Sequence, residues 1–302
     1  MHSNPVILVT HLSKTFDGLT AVEDASFQVN PGEIFGLLGP NGAGKTTTLR
    51  ILMDILKPDA GAALVLGQPP GAARRRVGYL PEERGLYRDL RVLECLVYLG
   101  QLKGLTRADA QRRAAGWLER FDLAARAKSK VQELSHGLQQ KVQIIASLLH
   151  DPDLLILDEP FQGLDPVNVD AVRALIRELR AQGKTIILSA HEMSQVERLC
   201  ERLALLHGGR IILYGALADL KRQFAPNALE ISPPLPLEGW PEVDRVEMRD
   251  DGRQRIYLAD SRAPRDLLKL ILERGHAVDH FELADVSLDE IFVAAVKGLP
   301  HG

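Results

Sequence analysis

Cysteine is scarce in this sequence, and long hydrophobic runs are missing from it. The two cysteines among the 302 residues, Cys95 and Cys200, lie far apart, and neither belongs to a C-x-x-C pair. This spacing argues against a disulfide framework or a thiolate metal site and favours a reducing compartment. No stretch approaches the roughly 18–20 apolar residues of a membrane-spanning helix, and residues 1–10 lack the basic start and apolar core of a signal peptide. We therefore expect a cytoplasmic chain that does not cross a bilayer by itself.

A marked excess of either charge is also absent. Lysine and arginine number 37, aspartate and glutamate 40, and the formal net charge is −3. Such a balance does not indicate the broad basic face of nucleic-acid-binding proteins, so no nucleic-acid partner is expected. The length allows one large domain and one small domain.

The most informative segment is the run GPNGAGKT at residues 39–46, which matches the pattern G-x-x-x-x-G-K-[ST]. A short apolar strand at 33–38 precedes it, and a helix at 47–53 follows. Glycines let the backbone N–H groups surround phosphates, and the helix adds the positive end of its dipole. Lys45 is predicted to reach the β- and γ-phosphates and to act in catalysis, and the Thr46 hydroxyl to bind Mg²⁺. The predicted ATP contacts in this segment are Gly39, Pro40, Asn41, Gly42, Ala43, Gly44, Lys45, Thr46 and Thr47.

Strands alternate with helices along most of the chain. Apolar runs at 153–158 and 185–189 predict buried strands, and the pattern at 169–182 predicts a helix, which together indicate a parallel sheet covered on both faces. Residues 83–150 have helix-like spacing and few strand signals. The predicted fold class is therefore α/β, a phosphate-loop NTPase sheet with an inserted helical subdomain.

A second, smaller domain is predicted at the C-terminal end. Prolines cluster after residue 222, which suggests a boundary. Alternating residues over 245–258 around a D-D-G-R turn predict a hairpin, and amphipathic helices are predicted at 263–274 and, after a capping box, at 287–296. The predicted domains are residues 1–222, with the helical subdomain at about 83–150, and residues 223–302, a small α+β domain.

Three polar residues follow buried strands at the edge where open sheets bind ligands. Asp158 is the expected Mg²⁺ partner in a phosphate-loop protein, and Glu159 can orient and deprotonate a water in line with the γ-phosphate. His191 is predicted to contact the γ-phosphate. The alternatives are an ordinary pair of acids at a strand end and a structural histidine.

Residues 134–140 read LSHGLQQ, which on the residues alone is a Ser/Gly turn before a helix at 140–149. Together with the phosphate loop, the strand ending at Asp158, the GLD run at 163–165 and His191, this segment resembles the ATP-binding subunits of ABC transporters in order and spacing. The resemblance covers about residues 5–220.

The resemblance implies roles for four further residues. Ser135 and Gly137 match the signature motif, which in that family covers the ATP held by the partner subunit's phosphate loop, and Asp165 matches the loop that communicates across the dimer. Phe16 stands where the family has an aromatic residue that stacks on adenine, an interaction of about 1–3 kcal/mol. The alternative for Phe16 is an ordinary core residue.

The sequence departs from the family pattern at three positions. His136 and Leu138 replace the Gly and Gln of the commonest signature, LSGGQ, while Ser135 and Gly137 remain. Glu82 stands where the family usually has a Gln that touches Mg²⁺. Since carboxylates also bind Mg²⁺, Glu82 joins Thr46 and Asp158 as a predicted metal ligand.

Two short segments resemble a narrower branch, the exporter ATPases related to sodium and antibiotic efflux. These are YLPEERGLY at 79–87 and SLDEIF at 287–292, and members of this branch carry a small C-terminal domain. The resemblance implies an ATPase that uses ATP and Mg²⁺ as a homodimer or heterodimer, at the cytoplasmic face of the membrane. It also implies a separate multi-span permease subunit, through which an unknown substrate is exported.

Two other functions remain open from the sequence. One is an ABC-type machine acting on ribosomes or nucleic acid, although the chain has neither sustained heptads nor a second phosphate loop. The other is a non-hydrolysing, nucleotide-regulated module, against which the intact Asp158, Glu159 and His191 argue.

Overall fold

The computed structural model describes residues 4–83, 85–224, 227–249, 251–259 and 264–298. The chain forms two compact units that divide between Leu217 and Ala218. Within the described residues, no helix combines the length and apolar character needed to cross a membrane. Arg84, Asp250 and Ala263, which occur in segments interpreted above, lie outside the described residues.

The strands and helices are as follows. The strands are β1 (Ile7–Phe16), β2 (Leu19–Val29), β3 (Ile34–Leu38), β4 (Ala60–Val65), β5 (Val77–Leu80), β6 (Leu154–Leu157), β7 (Thr185–Ala190), β8 (Arg202–His207), β9 (Arg210–Ala216), β10 (Ala228–Ser232), β11 (Val243–Met248), β12 (Gln254–Leu258) and β13 (His280–Leu283). The helices are α1 (Lys45–Leu52), α2 (Val92–Leu102), α3 (Arg107–Arg120), α4 (His136–Leu148), α5 (Pro166–Ala181), α6 (Met193–Glu197), α7 (Leu217–Phe224), α8 (Pro264–Glu273) and α9 (Leu288–Lys297).

The central sheet of the first unit has the strand order β5-β6-β7-β3-β8-β9. Neighbouring strands from β5 through β6, β7 and β3 to β8 pair in parallel. Strand β9 is an antiparallel edge strand on β8. Every residue of β3, β6 and β7 is buried, as expected for parallel strands covered on both faces. Because β6, β7 and β3 are neighbours, their carboxyl ends bring the phosphate loop, Asp158 and His191 to one edge. The predicted α/β fold class is confirmed.

A second, antiparallel sheet with the order β2-β1-β4 packs beside the central sheet. Its buried residues Ile7, Val9 and Phe27 share a core with Phe35 and Leu37 of β3. Strands β4, β8 and β9 have no counterpart among the strands predicted from the sequence. This sheet matters for the site because it carries Phe16 and the start of β2 to the phosphate loop.

Helices α2, α3 and α4 form the inserted helical subdomain around their own core, which includes Val92, Leu96, Leu118, Val142 and Ile145. Helix α4 begins at His136, so the predicted start at residue 140 is wrong. The reason is the cap: Ser135 is the N-cap of α4, and its Oγ accepts a hydrogen bond from the N–H of Leu138 at 3.5 Å.

The second unit contains the antiparallel sheet β11-β12-β10-β13, with β11 and β12 paired as a hairpin. Apolar residues of β10 and β12 pack with Leu267 and Ile271 of α8. The Ser287–Glu290 capping box opens α9, with reciprocal side-chain to backbone bonds of 3.2 and 2.9 Å. The units divide between Leu217 and Ala218, before the predicted boundary after residue 222, and α7 (Leu217–Phe224) spans both positions.

Candidate functional site

The phosphate loop joins β3 to α1 through residues 39–44, and two of its glycines have no substitute. Gly39 and Gly44 have φ angles of 147° and 102°, values that side-chain-bearing residues rarely adopt. A Cβ at Gly39 would lie 2.2 Å from the carbonyl oxygen of Leu206, and one at Gly44 would lie 2.3 Å from that of Ala21. The loop can therefore pass close to both sheets only with glycine at these positions.

Lys45 begins α1 and is buried at the end of the loop. Its Nζ donates hydrogen bonds to the carbonyl oxygens of Gly39 at 2.7 Å and Pro40 at 3.1 Å. The same atom lies 3.7 Å from Oε1 of Glu159. The ammonium group thus sits at the centre of the loop, beside the catalytic carboxylate predicted from the sequence.

The three predicted metal ligands lie together. The Thr46 hydroxyl lies 3.3 Å from Oε2 of Glu82 and 3.3 Å from Oδ1 of Asp158. Oδ2 of Asp158 is buried and has no hydrogen-bond partner, so it is free to bind a cation. Within the described ranges, no group of three or more His, Cys, Asp or Glu side chains could hold a metal ion by itself. A hydroxyl and two carboxylates suit Mg²⁺, which keeps waters and substrate phosphates as its other ligands.

Asp158 is fully buried at the end of β6. Burial raises the pKa of its carboxyl group, and hydrogen bonds from Ser189 and Thr46 oppose that shift. The Ser189 hydroxyl donates to Oδ1 of Asp158 at 2.5 Å. A divalent cation at the unpartnered oxygen would also favour the charged form.

Glu159 follows Asp158 and lines the cavity. Its side chain is buried, and Oε2 lies 2.9 Å from Nδ1 of His191. His191 itself is partly exposed. The structure therefore pairs the predicted base with the predicted γ-phosphate contact, through strands β6 and β7, which are neighbours in the sheet.

A cavity of about 570 Å³ collects most of the predicted ATP contacts. Phe16 lines it and is 40% exposed, which excludes the alternative of a core residue. Lys14 Nζ lies 5.3 Å from the centre of the Phe16 ring. The lining residues are Phe16, Leu19, Thr20, Ala21, Asn41, Gly42, Ala43, Gly44, Lys45, Thr46, Thr47, Glu82, Glu159 and Gly208.

Sequence reasoning missed several residues of this site. Leu19, Thr20, Ala21 and Gly208 belong to no phosphate-binding pattern, and only the folding of β1, β2 and the β8–β9 turn brings them to the cavity. Ser189 could have been found, because a polar residue near the end of an apolar strand at the carboxyl edge is a typical ligand position.

Ser135, Gly137 and Asp165 are not among the residues that line the cavity. Ser135 caps α4, and Asp165 caps α5 by accepting the N–H of Asn168 at 3.0 Å. A Cβ on Gly137 would lie 3.0 Å from the carbonyl oxygen of Gly163. The signature turn and the loop before α5 are therefore packed together, and neither contributes a lining residue to the cavity.

The sheet order, the glycine-rich loop before α1 and the acidic end of β6 define a phosphate-loop nucleotide-binding protein. Comparison with known proteins identifies the class more closely. The family model for ABC transporters matches residues 22–162. The model for the C-terminal domain of DrrA1-3-like ATP-binding proteins matches residues 215–296.

Known proteins match between 72% and 96% of this chain. The uncharacterized ABC transporter ATP-binding protein YhaQ of Bacillus subtilis is 38% identical over 96% of this chain and 98% of its own. The Nod factor export ATP-binding protein I of Paraburkholderia xenovorans is 41% identical over 78% of this chain and 81% of its own. A solved ATP-binding subunit of an ABC transporter is 37% identical, with a TM-score of 0.68 over 72% of this chain and 93% of that chain.

The chain belongs to the ATP-binding proteins of ABC transporters, and its first unit is an ATPase domain of that family. The family predicted from the motifs is confirmed, as is the small C-terminal domain typical of one branch of it.

Proposed function

We propose that this chain hydrolyses ATP with Mg²⁺ to drive export of a substrate through a separate membrane-spanning subunit. The observation that carries the proposal is the meeting of Lys45, Thr46 and Glu159 at one cavity, with Asp158 beside Thr46, while Ser135 and Gly137 do not line that cavity. Such a division supplies one half of each of two ATP sites. A second ATP-binding subunit is required to complete each site.

Thr46, Asp158 and Glu82 would hold the Mg²⁺ ion, which neutralises charge on the phosphates when it is bound. Lys45 would exchange its bonds to Gly39 and Pro40 for phosphate oxygens. Phe16 would support the adenine ring. Phe16, Lys45, Thr46 and Glu82 line the cavity, and Asp158 lies beside Thr46.

Glu159 would orient and deprotonate the attacking water. Its carboxylate has Oε1 near Lys45 and Oε2 near His191. His191 would hold the carboxylate in place and contact the γ-phosphate. This arrangement is that of a general base with an orienting partner, and it argues against the non-hydrolysing alternative.

The partner subunit would cover the γ-phosphate through the start of its α4. The first N–H groups of a helix have no intrahelical partners and attract anions, and Gly137, the second residue of α4, adds no side chain there. Closure of a two-fold dimer would thus depend on the γ-phosphate, and hydrolysis would let the dimer open. Both a homodimer and a heterodimer allow this.

The helical subdomain would transmit the motion to the permease. Tyr87 and Tyr98 are exposed and pack edge to face, with their ring centres 5.2 Å apart. Tyr98 lines a cavity of about 410 Å³ whose other walls are apolar on one hand and polar or charged on the other: Leu90, Leu93, Val97, Glu94, Gln101, Arg107 and Gln111. An exposed aromatic pair beside a cavity with both apolar and charged walls suits the docking of a membrane-protein loop at the cytoplasmic face.

The experiment that tests the proposal is a mild-detergent pull-down of the tagged chain from its native membranes. We expect a stoichiometric multi-span protein with the wild type and with Ile55→Arg, a control at another exposed apolar residue. We expect much less of it with Tyr98→Arg. Recovery of ribosomes or nucleic-acid factors alone would favour an ABC-type machine that acts on them. A separate phosphate-release assay tests hydrolysis, and no release from MgATP would favour the non-hydrolysing module.

A further inference from the structure

The backbone of Glu159 has an unusual conformation. Its φ angle is 49°, in the left-handed region, which costs free energy for a residue that carries a side chain. Such a conformation persists only where surrounding groups fix it. The direction of the Cα–Cβ bond, and hence the position of the carboxylate, depends on that backbone conformation.

Two buried side chains hold the peptide groups on either side of Glu159. The N–H of Glu159 donates to Oγ of Ser189 at 2.9 Å. On the other side, Nε2 of Gln140 lies 3.4 Å from the carbonyl oxygen of Glu159 and 3.2 Å from that of Pro160. Gln140 is only 9% exposed, so water does not readily replace these bonds.

Gln140 and Ser189 come from different parts of the first unit. Ser189 belongs to β7, beside the strand that leads to Glu159, whereas Gln140 belongs to α4 of the helical subdomain. Gln140 is thus a direct link from the helical subdomain to the backbone of the catalytic glutamate.

We propose that Gln140 is a positioning residue for hydrolysis, which fixes the carboxylate of Glu159 by holding the carbonyl groups of Glu159 and Pro160. The proposal rests on the assignment of Glu159 as the base in the proposed function. It follows that the geometry of the base depends on the position of α4, the helix that also carries Ser135 and Gly137.

The test is a double-mutant cycle between Gln140→Met and Glu159→Gln. Methionine has nearly the length and volume of glutamine but no N–H group. Single-turnover hydrolysis is measured with the protein in excess over MgATP and at a concentration above the dissociation constant for ATP. We expect Gln140→Met alone to slow hydrolysis by about 10- to 100-fold with unchanged ATP affinity. In the Glu159→Gln background it should change the residual rate by less than about twofold, because the carboxylate it positions is gone.

Gln254→Met is the matched control. Gln254 is a buried glutamine, 6% exposed, whose Nε2 donates to the carbonyl oxygen of Leu235 at 2.8 Å in the second unit. Its loss should lower thermal stability and leave the hydrolysis rate at the wild-type level. If Gln140→Met does not fold, Gln140→Asn, which retains the amide but is one methylene shorter, takes its place in the cycle.

The outcomes separate the two proposals. An equal loss of rate in both backgrounds, or a wild-type rate for Gln140→Met, overturns the positioning role and leaves Glu159 as the base. A wild-type rate for Glu159→Gln alone overturns the assignment of the base and, with it, the role of Gln140.

Discussion

Nδ1 of His191 lies 2.9 Å from Oε2 of Glu159, across the carboxyl ends of two paired parallel strands. The other oxygen of the same carboxylate lies 3.7 Å from Nζ of Lys45. One buried carboxylate therefore contacts both the imidazole and the phosphate-loop ammonium group. Substitutions at these residues should affect different steps, since we propose that Lys45 binds nucleotide and that Glu159 acts on water.

Glu159→Gln should slow hydrolysis by about 10²- to 10⁴-fold, because the variant lacks a general base. ATP should still bind and should trap the closed dimer. Phosphate release measures the first effect, and size-exclusion chromatography with MgATP measures the second. Glu119→Gln, at an exposed position of α3, is the control. Wild-type turnover of Glu159→Gln would contradict the assignment.

Lys45→Ala should weaken ATP binding about 10- to 100-fold, the size of a lost charge-assisted hydrogen bond. Calorimetric titration with ATP measures the dissociation constant. Lys103→Ala is a suitable control, because Nζ of Lys103 donates to the carbonyl oxygens of Arg74 and Val77 rather than facing the cavity. An unchanged affinity of Lys45→Ala would remove Lys45 from the binding site.

Phe16→Ala should weaken ATP binding by about 5- to 100-fold, which corresponds to the loss of one base-stacking contact. Binding of inorganic triphosphate should stay the same, since it has no base to stack. Phe16→Tyr should bind ATP as the wild type does. A similar loss for both ligands would show that Phe16 supports the loop and does not recognise adenine.

His150 should make the first unit less stable in mild acid. Burial is the main reason that the pKa of His150 falls from 6.5 to about 4, and its Nδ1 has no hydrogen-bond partner. Below pH 6.5 the unfolded chain therefore binds a proton that the folded chain does not. The free energy of unfolding should be constant above that pH and fall by up to about 3 kcal/mol as the pH approaches 4.

Urea unfolding at pH 7 and at pH 4.5 measures this effect. Fluorescence of Trp117 reports on the first unit when Trp240, in the second unit, is replaced by Phe. The free energy of unfolding should decrease less for His150→Gln than for the wild type. For His280→Gln, at a partly exposed position, it should decrease as much as for the wild type. Equal decreases in all three proteins would exclude His150 as the cause.

Arg255→Met should destabilise the second unit by about 3–5 kcal/mol. Arg255 is 4% exposed and pairs with the buried Glu230 at 2.7 Å and with Glu290 at 2.9 Å. Its removal leaves the Glu230 carboxylate buried without its main partner. The double variant with Glu230→Gln should recover part of the loss.

Urea unfolding followed by Trp240 fluorescence, with Trp117 replaced by Phe, measures the stability of the second unit. Arg245→Met, at an exposed arginine, is the control. If Arg255→Met were as stable as this control, the buried ion pair would contribute nothing.

The candidate site shows which residues a sequence can reveal. Lys45, Thr46, Asp158 and Glu159 were predictable because each stands at a fixed distance from a strand end, and the chemistry of phosphates restricts the residue type. Gln140 was not predictable, because nothing in a helix pattern distinguishes an inward amide from a core residue. Its role depends on a contact with the carbonyl group of a residue in another element.

The helix boundaries follow the same rule. Ser287 and Glu290 predict the start of α9 through local hydrogen bonds alone. Helix α4 starts at His136 because Ser135 caps it, although the sequence around Ser135 is also typical of a loop. Local hydrogen bonds join residues that are near each other in the sequence, so the sequence specifies them directly.

The sequence by itself determined the nucleotide-binding loop, the acidic strand end, the family and the presence of a second domain. Only the tertiary structure decided that Phe16 faces the cavity, that His191 contacts Glu159 and that Gln140 holds its backbone. The physical reason is the separation in sequence between the residues that interact. Turn geometry and strand burial depend on neighbouring residues, whereas these contacts join segments far apart in the chain, which meet only when the sheets have formed.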